Sequence, residues 1–244
     1  MGKVAIFVSW EDVPHLSASQ KAAILASIPP WQRGARTRGT PQLGAGAIYQ
    51  VLEDEVIVSP FPIPPHWKRS YGLDVGWNRT AAIWLAQDPE TQGIVAYDEH
   101  YRGQAEPSIH TAAIHLRGKW VPGVIDPAAR GRSQKDGEKL IENYRDLGLD
   151  IEIADNTKEA GLAKVWEMLS TGQLKLFSTL ANTRSEMRLY RRDEQGKIVK
   201  ENDHLMDALR YAVMSGLARG KIEPVTRNDG MPWFHWSPPP VWSG

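Results

Sequence analysis

The chain of 244 residues contains no cysteine. Disulfide bonds are therefore excluded, and so is any zinc site that is built on thiolates. A metal site in this chain has to use oxygen or imidazole ligands, and a carboxylate-rich site without sulfur favours Mg²⁺ or Mn²⁺. The sequence also lacks an apolar run of membrane-spanning length and a basic N-terminus followed by an apolar segment. We therefore expect no membrane partner and a cytoplasmic location.

The chain has no net charge, because 29 basic side chains balance 29 acidic ones. Overall charge thus gives no sign of a nucleic-acid partner. Basic residues are nevertheless grouped, and such groups can supply the local positive surface that binds phosphate. Taken alone, each group is more simply a solvated surface. The groups are Arg33, Arg36 and Arg38; Arg130, Arg132 and Lys135; and Arg184, Arg188, Arg191 and Arg192.

Also absent is the phosphate-binding pattern Gly-x-x-x-x-Gly-Lys-Ser/Thr. Gly-Lys pairs stand at 118–119, 196–197 and 220–221, but all three lack the required neighbours. We therefore expect that this chain does not hydrolyse ATP.

The order of predicted elements indicates an α/β fold, with a mixed β-sheet flanked by helices. Apolar runs at 71–75 and 81–86 predict a β-hairpin, and a third strand follows at 94–101. Further strands are predicted at 4–8, 121–125, 151–153 and 174–177, and helices at 17–27, 107–118, 133–147, 158–170 and 202–217. Three strands in a meander, followed by alternating helices and strands, match the ribonuclease H-like architecture.

Composition divides the chain into three parts. Residues 56–66 are extended and rich in proline, which marks a boundary between residues 1–66 and the α/β region at 67–220. The remainder, 221–244, is rich in tryptophan and proline. Such a tail cannot build a core of its own, and we expect it to be mobile or docked on a partner.

Three aspartates fall where chemistry would place them. Asp74 lies inside the first apolar strand, where a charged group is costly unless it is paired or bound to metal. Asp126 follows a short strand at its C-terminal end, where open α/β sheets bind their ligands. Asp207 lies on the last helix, and Asp203 and His204 share its face because residues three and four apart are neighbours. The sequence therefore predicts one acidic site, with Asp203 and His204 as weaker candidates.

Each of these residues also has a structural explanation. Asp74 could accept hydrogen bonds from a turn, and Asp126 could cap the segment that follows it. Asp203 has about even odds of being the N-cap of the last helix. The set is more specific than its members, because two divalent ions about 4 Å apart need carboxylates that converge from separate elements.

Four segments carry a resemblance to the terminase large subunits of tailed phages. They are 35–49 (Ala-Arg-Thr-Arg-Gly-Thr-Pro-Gln-Leu-Gly-Ala-Gly-Ala-Ile-Tyr), 73–78 (Leu-Asp-Val-Gly-Trp-Asn), 124–129 (Val-Ile-Asp-Pro-Ala-Ala) and 202–212 (Asn-Asp-His-Leu-Met-Asp-Ala-Leu-Arg-Tyr-Ala). The last of these is the most specific. The resemblance extends over nearly the whole chain to about residue 220.

The resemblance implies a ribonuclease H-like endonuclease that cuts concatemeric double-stranded viral DNA with two Mg²⁺ or Mn²⁺ ions. Asp74, Asp126 and Asp207 would be the catalytic residues and metal ligands, with Asp203 and His204 beside them. Contacts to DNA are expected from Arg130, Arg132, Lys135, Arg188, Arg191 and Arg192. Residues 1–66 would be the end of an ATPase domain plus a connector. The implied partners are DNA, the ATPase domain, the small terminase subunit and the portal, in the cytoplasm of an infected bacterium.

Three other interpretations are open. Residues 73–80 also resemble the first phosphate loop of actin-like kinases and ATPases, although the second lobe and the adenosine-binding glycine motif of those proteins are not visible. A non-catalytic docking module of the packaging motor would use the aromatic tail. A Holliday-junction resolvase would share the fold and the acids, but it does not explain residues 35–49.

Overall fold

The computed structural model describes residues 16–27, 37, 46–130 and 140–225. The strand predicted at 4–8, the side chains of Arg130, Arg132 and Lys135, and the tail from residue 226 lie outside the described residues. Among the residues that are described, no helix is both long and apolar enough to cross a membrane.

A mixed sheet of seven strands organises the described part of the chain, in the order β1-β7-β4-β3-β2-β5-β6. The strands are β1 (Ile57–Val58), β2 (Lys68–Asp74), β3 (Thr80–Gln87), β4 (Ile94–Arg102), β5 (Gly123–Ile125), β6 (Ile151–Ile153) and β7 (Leu174–Phe177). The central strands β2, β3 and β4 form the predicted antiparallel meander. The outer strands add to it in parallel, which confirms the mixed sheet.

Helices cover both faces of this sheet. They are α1 (Ala18–Ser27), α2 (Glu53–Val56), α3 (Pro107–His115), α4 (Leu140–Asp146), α5 (Lys158–Ser170), α6 (Ala181–Leu189), α7 (His204–Tyr211) and α8 (Leu217–Arg219). A π-helical stretch, Ala212–Gly216, joins α7 to α8 without a break. A short 3-10 turn, Pro127–Arg130, follows β5.

Strand β3 supplies both hydrophobic cores, because its successive side chains point to opposite faces of the sheet. Ile83 and Leu85 pack in the core that is covered by α5 and α7. Ala82 and Trp84 pack in the core that contains residues of α3 and α4. Burial on both faces explains why β3 reads as a continuous apolar run.

Helix α7 lies directly on β2 at Gly72. A Cβ atom at this position would collide with the carbonyl oxygen of Ala208 on the helix. The absence of a side chain therefore lets the helix backbone approach the strand that ends in Asp74.

The structure differs from the predicted elements in three places. Helix α6 and the short elements α2 and β1 were not predicted. Helix α3 ends at His115, three residues before the predicted limit at Gly118, whose φ of 119° is not helical. Strand β1 pairs with β7, so part of the predicted connector contributes to the sheet. The division of the chain at residues 66 and 220 stays a prediction.

Candidate metal centre

Two parallel strands bring Asp74 and Asp126 to the same edge of the sheet. Leu73 of β2 is in register with Ile125 of β5, so the residues that follow them leave the sheet side by side. The backbone N–H of Asp126 donates to the carbonyl oxygen of Leu73 at 2.9 Å and fixes this alignment. Convergence of the two carboxylates is thus a result of strand register.

Helix α7 adds three further side chains above this edge. Its first turn carries His204 and Asp207, and Asp203 immediately precedes it. His204 joins the helix to the strand, because its Nδ1 lies 3.0 Å from Oδ2 of Asp74. All five predicted side chains therefore lie on one site.

These side chains line a cavity of about 520 Å³. Its walls are formed by Asp74, Asp126, Ala128, Asn156, Lys158, Lys200, Asp203, His204, Asp207, Arg210 and Tyr211. Residues from β2, α5 and α7 and from the turn after β5 meet there although they are widely separated in the sequence. The structure thus brings Asp74, Asp126 and Asp207 together.

Asp74 and Asp126 form the half of the cavity that has little positive charge. Burial raises the pKa of Asp74, and the neighbouring carboxylates of Asp207 and Asp126 raise it further, against the hydrogen bond from His204. That same hydrogen bond raises the pKa of His204. Asp126 accepts hydrogen bonds from the Tyr211 hydroxyl at 3.2 Å and the Ala128 N–H at 3.0 Å.

Asp203 and Asp207 form the other half, in which the negative charge is already matched. The ammonium of Lys200 lies 3.0 Å from Oδ2 of Asp203 and 3.2 Å from Oδ2 of Asp207. Arg210, whose side chain is almost fully buried, bonds Oδ1 of Asp207 at 3.0 Å. Burial acts to raise the pKa of Asp207, but the charges of Arg210 and Lys200 outweigh it and the pKa is lowered.

Oxygen ligands and buried negative charge make the Asp74–Asp126 half suitable for a hard divalent cation. Within the described residues, no three His, Asp or Glu side chains stand close enough together to hold one ion as they are placed. In the second half, Oδ2 of Asp207 pairs with Lys200 and Oδ1 pairs with Arg210, so both of its oxygens already have cationic partners.

The structural explanations suggested for the three acids, as N-cap or turn residues, are only partly correct. Asp203 occupies the N-cap position of α7, but its side chain makes no capping hydrogen bond and accepts from Lys200 instead. Asp126 does cap the 3-10 turn through Ala128 while it lines the cavity. The described partner of the Asp74 carboxylate is His204 on α7 and not a turn amide.

The basic residues of the cavity were missed. Arg210 follows Asp207 by three residues on α7, a spacing that places these two partners on one side of the helix. Lys200 precedes Asp203 by three residues but lies before the helix begins. Lys158 begins α5 and comes from a different element. Burial and the nearby ammonium of Lys200 lower the pKa of Lys158. Helical spacing to Asp207 was the available signal for Arg210.

The predicted arginine cluster near residue 190 does not line the acidic cavity. Arg188 bonds Glu53 at 2.6 Å, and that carboxylate also pairs with Arg184. Arg192 bonds Glu159 at 2.6 Å and lines a separate cavity beside residues 46–50. Arg191 lies in an isolated bridge to Ala47. This cluster therefore stabilises contacts between segments, and its role in DNA binding stays a prediction.

Comparisons with known proteins agree with this geometry. The family described as "Terminase RNaseH-like domain" matches residues 71–215. The large terminase subunit of Enterobacteria phage LP7 is 31% identical over 223 residues, which are 84% of this chain and 45% of that protein. The chain thus spans less than half the length of this curated relative.

Solved structures show the same fold. The nuclease domain of the P22 large terminase is 28% identical, with a TM-score of 0.67 over 74% of this chain and 96% of that one. The large terminase nuclease of thermophilic phage G20c with bound magnesium has a TM-score of 0.52 at 14% identity, over 71% and 99% of the two chains. The mixed sheet flanked by helices is therefore the ribonuclease H-like fold of terminase nucleases.

Proposed function

The chain belongs to the terminase RNaseH-like domain family, and from this premise we propose that it is a metal-dependent endonuclease that cuts double-stranded phage DNA during genome packaging. The observation that carries the proposal is the convergence of Asp74, Asp126 and Asp207 on one cavity. Strand register brings Asp74 and Asp126 together, but it does not account for a third carboxylate, from a helix, in the same cavity. The binding of divalent cations accounts for all three.

In this proposal Asp74 and Asp126 hold the first Mg²⁺ or Mn²⁺ ion, because no Lys or Arg among the described residues is bonded to them. Asp207 completes a second site when Lys200 withdraws. Such a pair of ions polarises the scissile phosphate and stabilises charge on the attacking and leaving oxygens. His204 orients Asp74 through its Nδ1, and Arg210 holds Asp207 from the buried side.

The reaction is hydrolysis of a phosphodiester bond. The oxygen of a water molecule bonds to phosphorus, the bond from phosphorus to the 3′ oxygen breaks, and a proton of the water is lost while the 3′ oxygen gains one. The products are a 5′-phosphate and a 3′-hydroxyl. The chain's own residues position the phosphate and balance charge, which is how proteins accelerate such displacements.

Basic residues at the cavity supply the attraction for DNA. Lys158 and Lys200 line it, and the side chain of Lys200 is 61% exposed, so its ammonium can pair with an entering phosphate. Farther from the cavity, the DNA strand is proposed to contact three basic residues that follow Asp126 in the sequence, namely Arg130, Arg132 and Lys135. These contacts are made to phosphates, and we therefore expect low sequence specificity.

The proposal also covers the N-terminal residues and the partners. Residues 1–66 are assigned to the end of an ATPase domain and a connector, which fits a chain that spans 45% of its LP7 relative. The proposed partners are that ATPase domain, a small terminase subunit and the portal, in the cytoplasm of the infected host. No ATP hydrolysis is expected from this chain.

Nicking of supercoiled plasmid tests the activity directly. We expect cleavage with Mn²⁺ or Mg²⁺, none with EDTA, and none above background for Asp74→Ala. Asp146→Ala is the matched control, because Asp146 is an exposed acid on α4 outside the cavity, and it should cleave like the wild type. Metal-dependent cleavage by a folded Asp74→Ala protein would contradict the proposal. Absence of cleavage by the folded wild type at all metal concentrations would favour the alternative of a non-catalytic docking module.

A further inference from the structure

The loop between β2 and β3 presents an exposed tryptophan beside the acidic cavity. Trp77 follows Asp74 by three residues, and 64% of its surface is exposed, more than that of any other aromatic side chain in the described residues. Single exposed apolar side chains are ordinary on protein surfaces. The position of this one, next to a proposed catalytic residue, calls for a physical explanation.

The backbone of this loop is fixed. The carbonyl oxygen of Trp77 accepts a hydrogen bond from the N–H of Gln104 at 2.7 Å. The Thr80 hydroxyl donates to the carbonyl oxygen of Gly76 at 3.0 Å. Gly103 packs so closely that a Cβ there would collide with the carbonyl oxygen of Asn78. The indole is thus held outward on an ordered loop, which reduces the entropy lost on binding a ligand.

Behind the indole lies a second cavity of about 220 Å³. Trp77 forms one wall, and Pro107, Leu140 and Tyr144 contribute apolar surface. Its lining begins at Val75, the residue after Asp74. The two cavities have no lining residue in common, because the second one lies among residues of α3 and α4 and the acidic one among residues of α5 and α7. The end of β2 connects them, since Asp74 lines the acidic cavity and Val75 lines the second one.

A neutral histidine forms another wall of this second cavity. His110 Nε2 lies 3.2 Å from the carbonyl oxygen of Ala105, and its Nδ1 lies 2.9 Å from Nε2 of His100. A carbonyl only accepts, so His110 donates from Nε2 and accepts from His100 at Nδ1. Burial lowers the pKa of both rings, that of His100 to about 4. The wall stays uncharged at neutral pH.

Positive charge surrounds the loop at the same edge. The Arg79 guanidinium lies 4.5 Å from the ring centroid of Tyr101. Arg102 is exposed at the end of β4, and it forms no ion pair with any described residue. Glu106 stands at the rim of the second cavity. The surroundings thus combine cations for phosphate with a carboxylate that can accept a hydrogen bond from an amino group.

We propose that Trp77 and the cavity behind it bind one unpaired nucleobase of the DNA strand whose phosphate enters the acidic cavity. The identity of the polymer rests on the proposed function; the presence of an unpaired base is the new element. Indole and phenol rings stack on a nucleobase of any sequence. A base inside a duplex cannot reach such a wall without leaving the stack. Local opening of the duplex beside the cut is therefore part of substrate recognition.

Binding without cleavage tests this inference. The probes are a fluorescent 30-base-pair duplex and the same duplex with three central mismatched pairs, both in EDTA at low salt, with affinity measured by anisotropy. We expect the wild type to bind the mismatched DNA about tenfold more tightly. Trp77→Ala should lose this preference while its duplex affinity is retained, and Trp77→Phe should keep most of it. Trp166→Ala is the control, since Trp166 is 45% exposed on α5 and lines neither of these two cavities.

A 2-aminopurine placed at the mismatch provides a second readout. Stacking on Trp77 should change its emission with the wild type and leave it unchanged with Trp77→Ala. Equal affinity of the wild type for both DNAs, or an unchanged preference in Trp77→Ala, would overturn the inference even if plasmid is cut. Conversely, a Trp77-dependent preference in a protein that never cuts DNA would support the base site and contradict the nuclease assignment.

Discussion

Replacement of Lys200 by methionine should weaken the fold and strengthen metal binding at the same time. The side chain of Lys200 is 61% exposed, whereas the side chains of Asp203 and Asp207, which it contacts, are only 9% and 10% exposed. The charge therefore sits at the mouth of the cavity above two buried acids. Methionine keeps most of the volume and removes the charge, so the acids lose a partner that a divalent cation can replace.

The loss of unfolding free energy in Lys200→Met should lie between two known limits. An exposed ion pair contributes up to about 1 kcal/mol, and loss of one partner from a fully buried pair costs about 3–5 kcal/mol. Here the cation is exposed, the acids are buried, and Arg210 still bonds Asp207 at 3.0 Å. We expect Lys200→Met to lose about 1–2 kcal/mol of unfolding free energy in EDTA, a fall in Tm of about 4 °C for a chain of this size.

Metal titration shows whether Lys200 competes with the metal for the carboxylates or only stabilises the fold. The second Mn²⁺ ion no longer has to displace the ammonium from Asp207, so its apparent Kd should fall about tenfold, the equivalent of about 1.4 kcal/mol, as measured by calorimetry without DNA. Lys164→Met is the matched control, because Lys164 also pairs with an acid three residues later but does so on the exposed face of α5. Its Mn²⁺ affinity should stay at the wild-type value. Equal or weaker Mn²⁺ binding by Lys200→Met would refute the reasoning.

Three further changes test the packing and the charges. Gly72→Ala should destabilise the fold by about 3 kcal/mol in urea unfolding, because the added methyl group collides with α7; a loss below about 1 kcal/mol would contradict this close approach. His204→Gln should cost up to about 1 kcal/mol near pH 6 in EDTA and almost nothing near pH 9. The pKa of His204 is raised by Asp74, so its stabilisation is present below the ordinary value of about 6.5 and is lost as the pH rises through the raised pKa. Arg188→Ala should lower Tm by about 3 °C while DNA affinity, followed by anisotropy, stays within about twofold; a tenfold loss would restore this arginine to the DNA interface.

Elements with strong local signals were predictable from sequence alone. Helix α5 and strand β7 were placed at their observed limits, since a Gly ends the helix and an apolar run follows it. Helix α6 escaped because its buried face is polar: Thr183 and Glu186 are almost fully buried. Their partners, Glu99 and Tyr101, lie on β4 and are known only once the chain is folded. Periodicity of apolar residues cannot detect such a helix.

The acidic residues of the site were also predictable from sequence, but the basic residues that pair with them were not. A carboxylate inside an apolar strand is conspicuous because burial penalises it, as the raised pKa of Asp74 shows. A lysine or arginine near a helix is common and carries no such signal. Lys158 joins the cavity only through the packing of α5 against α7, which no spacing in the sequence reveals.

The positions of these basic residues indicate whether the site can be ordered before any cation binds. Four aspartates in one cavity repel one another, and an ordered site without bound cations is possible only if part of that repulsion is offset. Lys200 and Arg210 offset it at Asp203 and Asp207, and both lie within residues 200–210, the segment that carries those acids. The segment therefore docks on the sheet with its charges largely balanced, and the repulsion is concentrated at Asp74, where His204 alone among the described residues provides an ion-pair partner. We therefore expect that the fold does not require metal, and that the first ion binds in the half of the cavity that lacks a lysine or arginine partner.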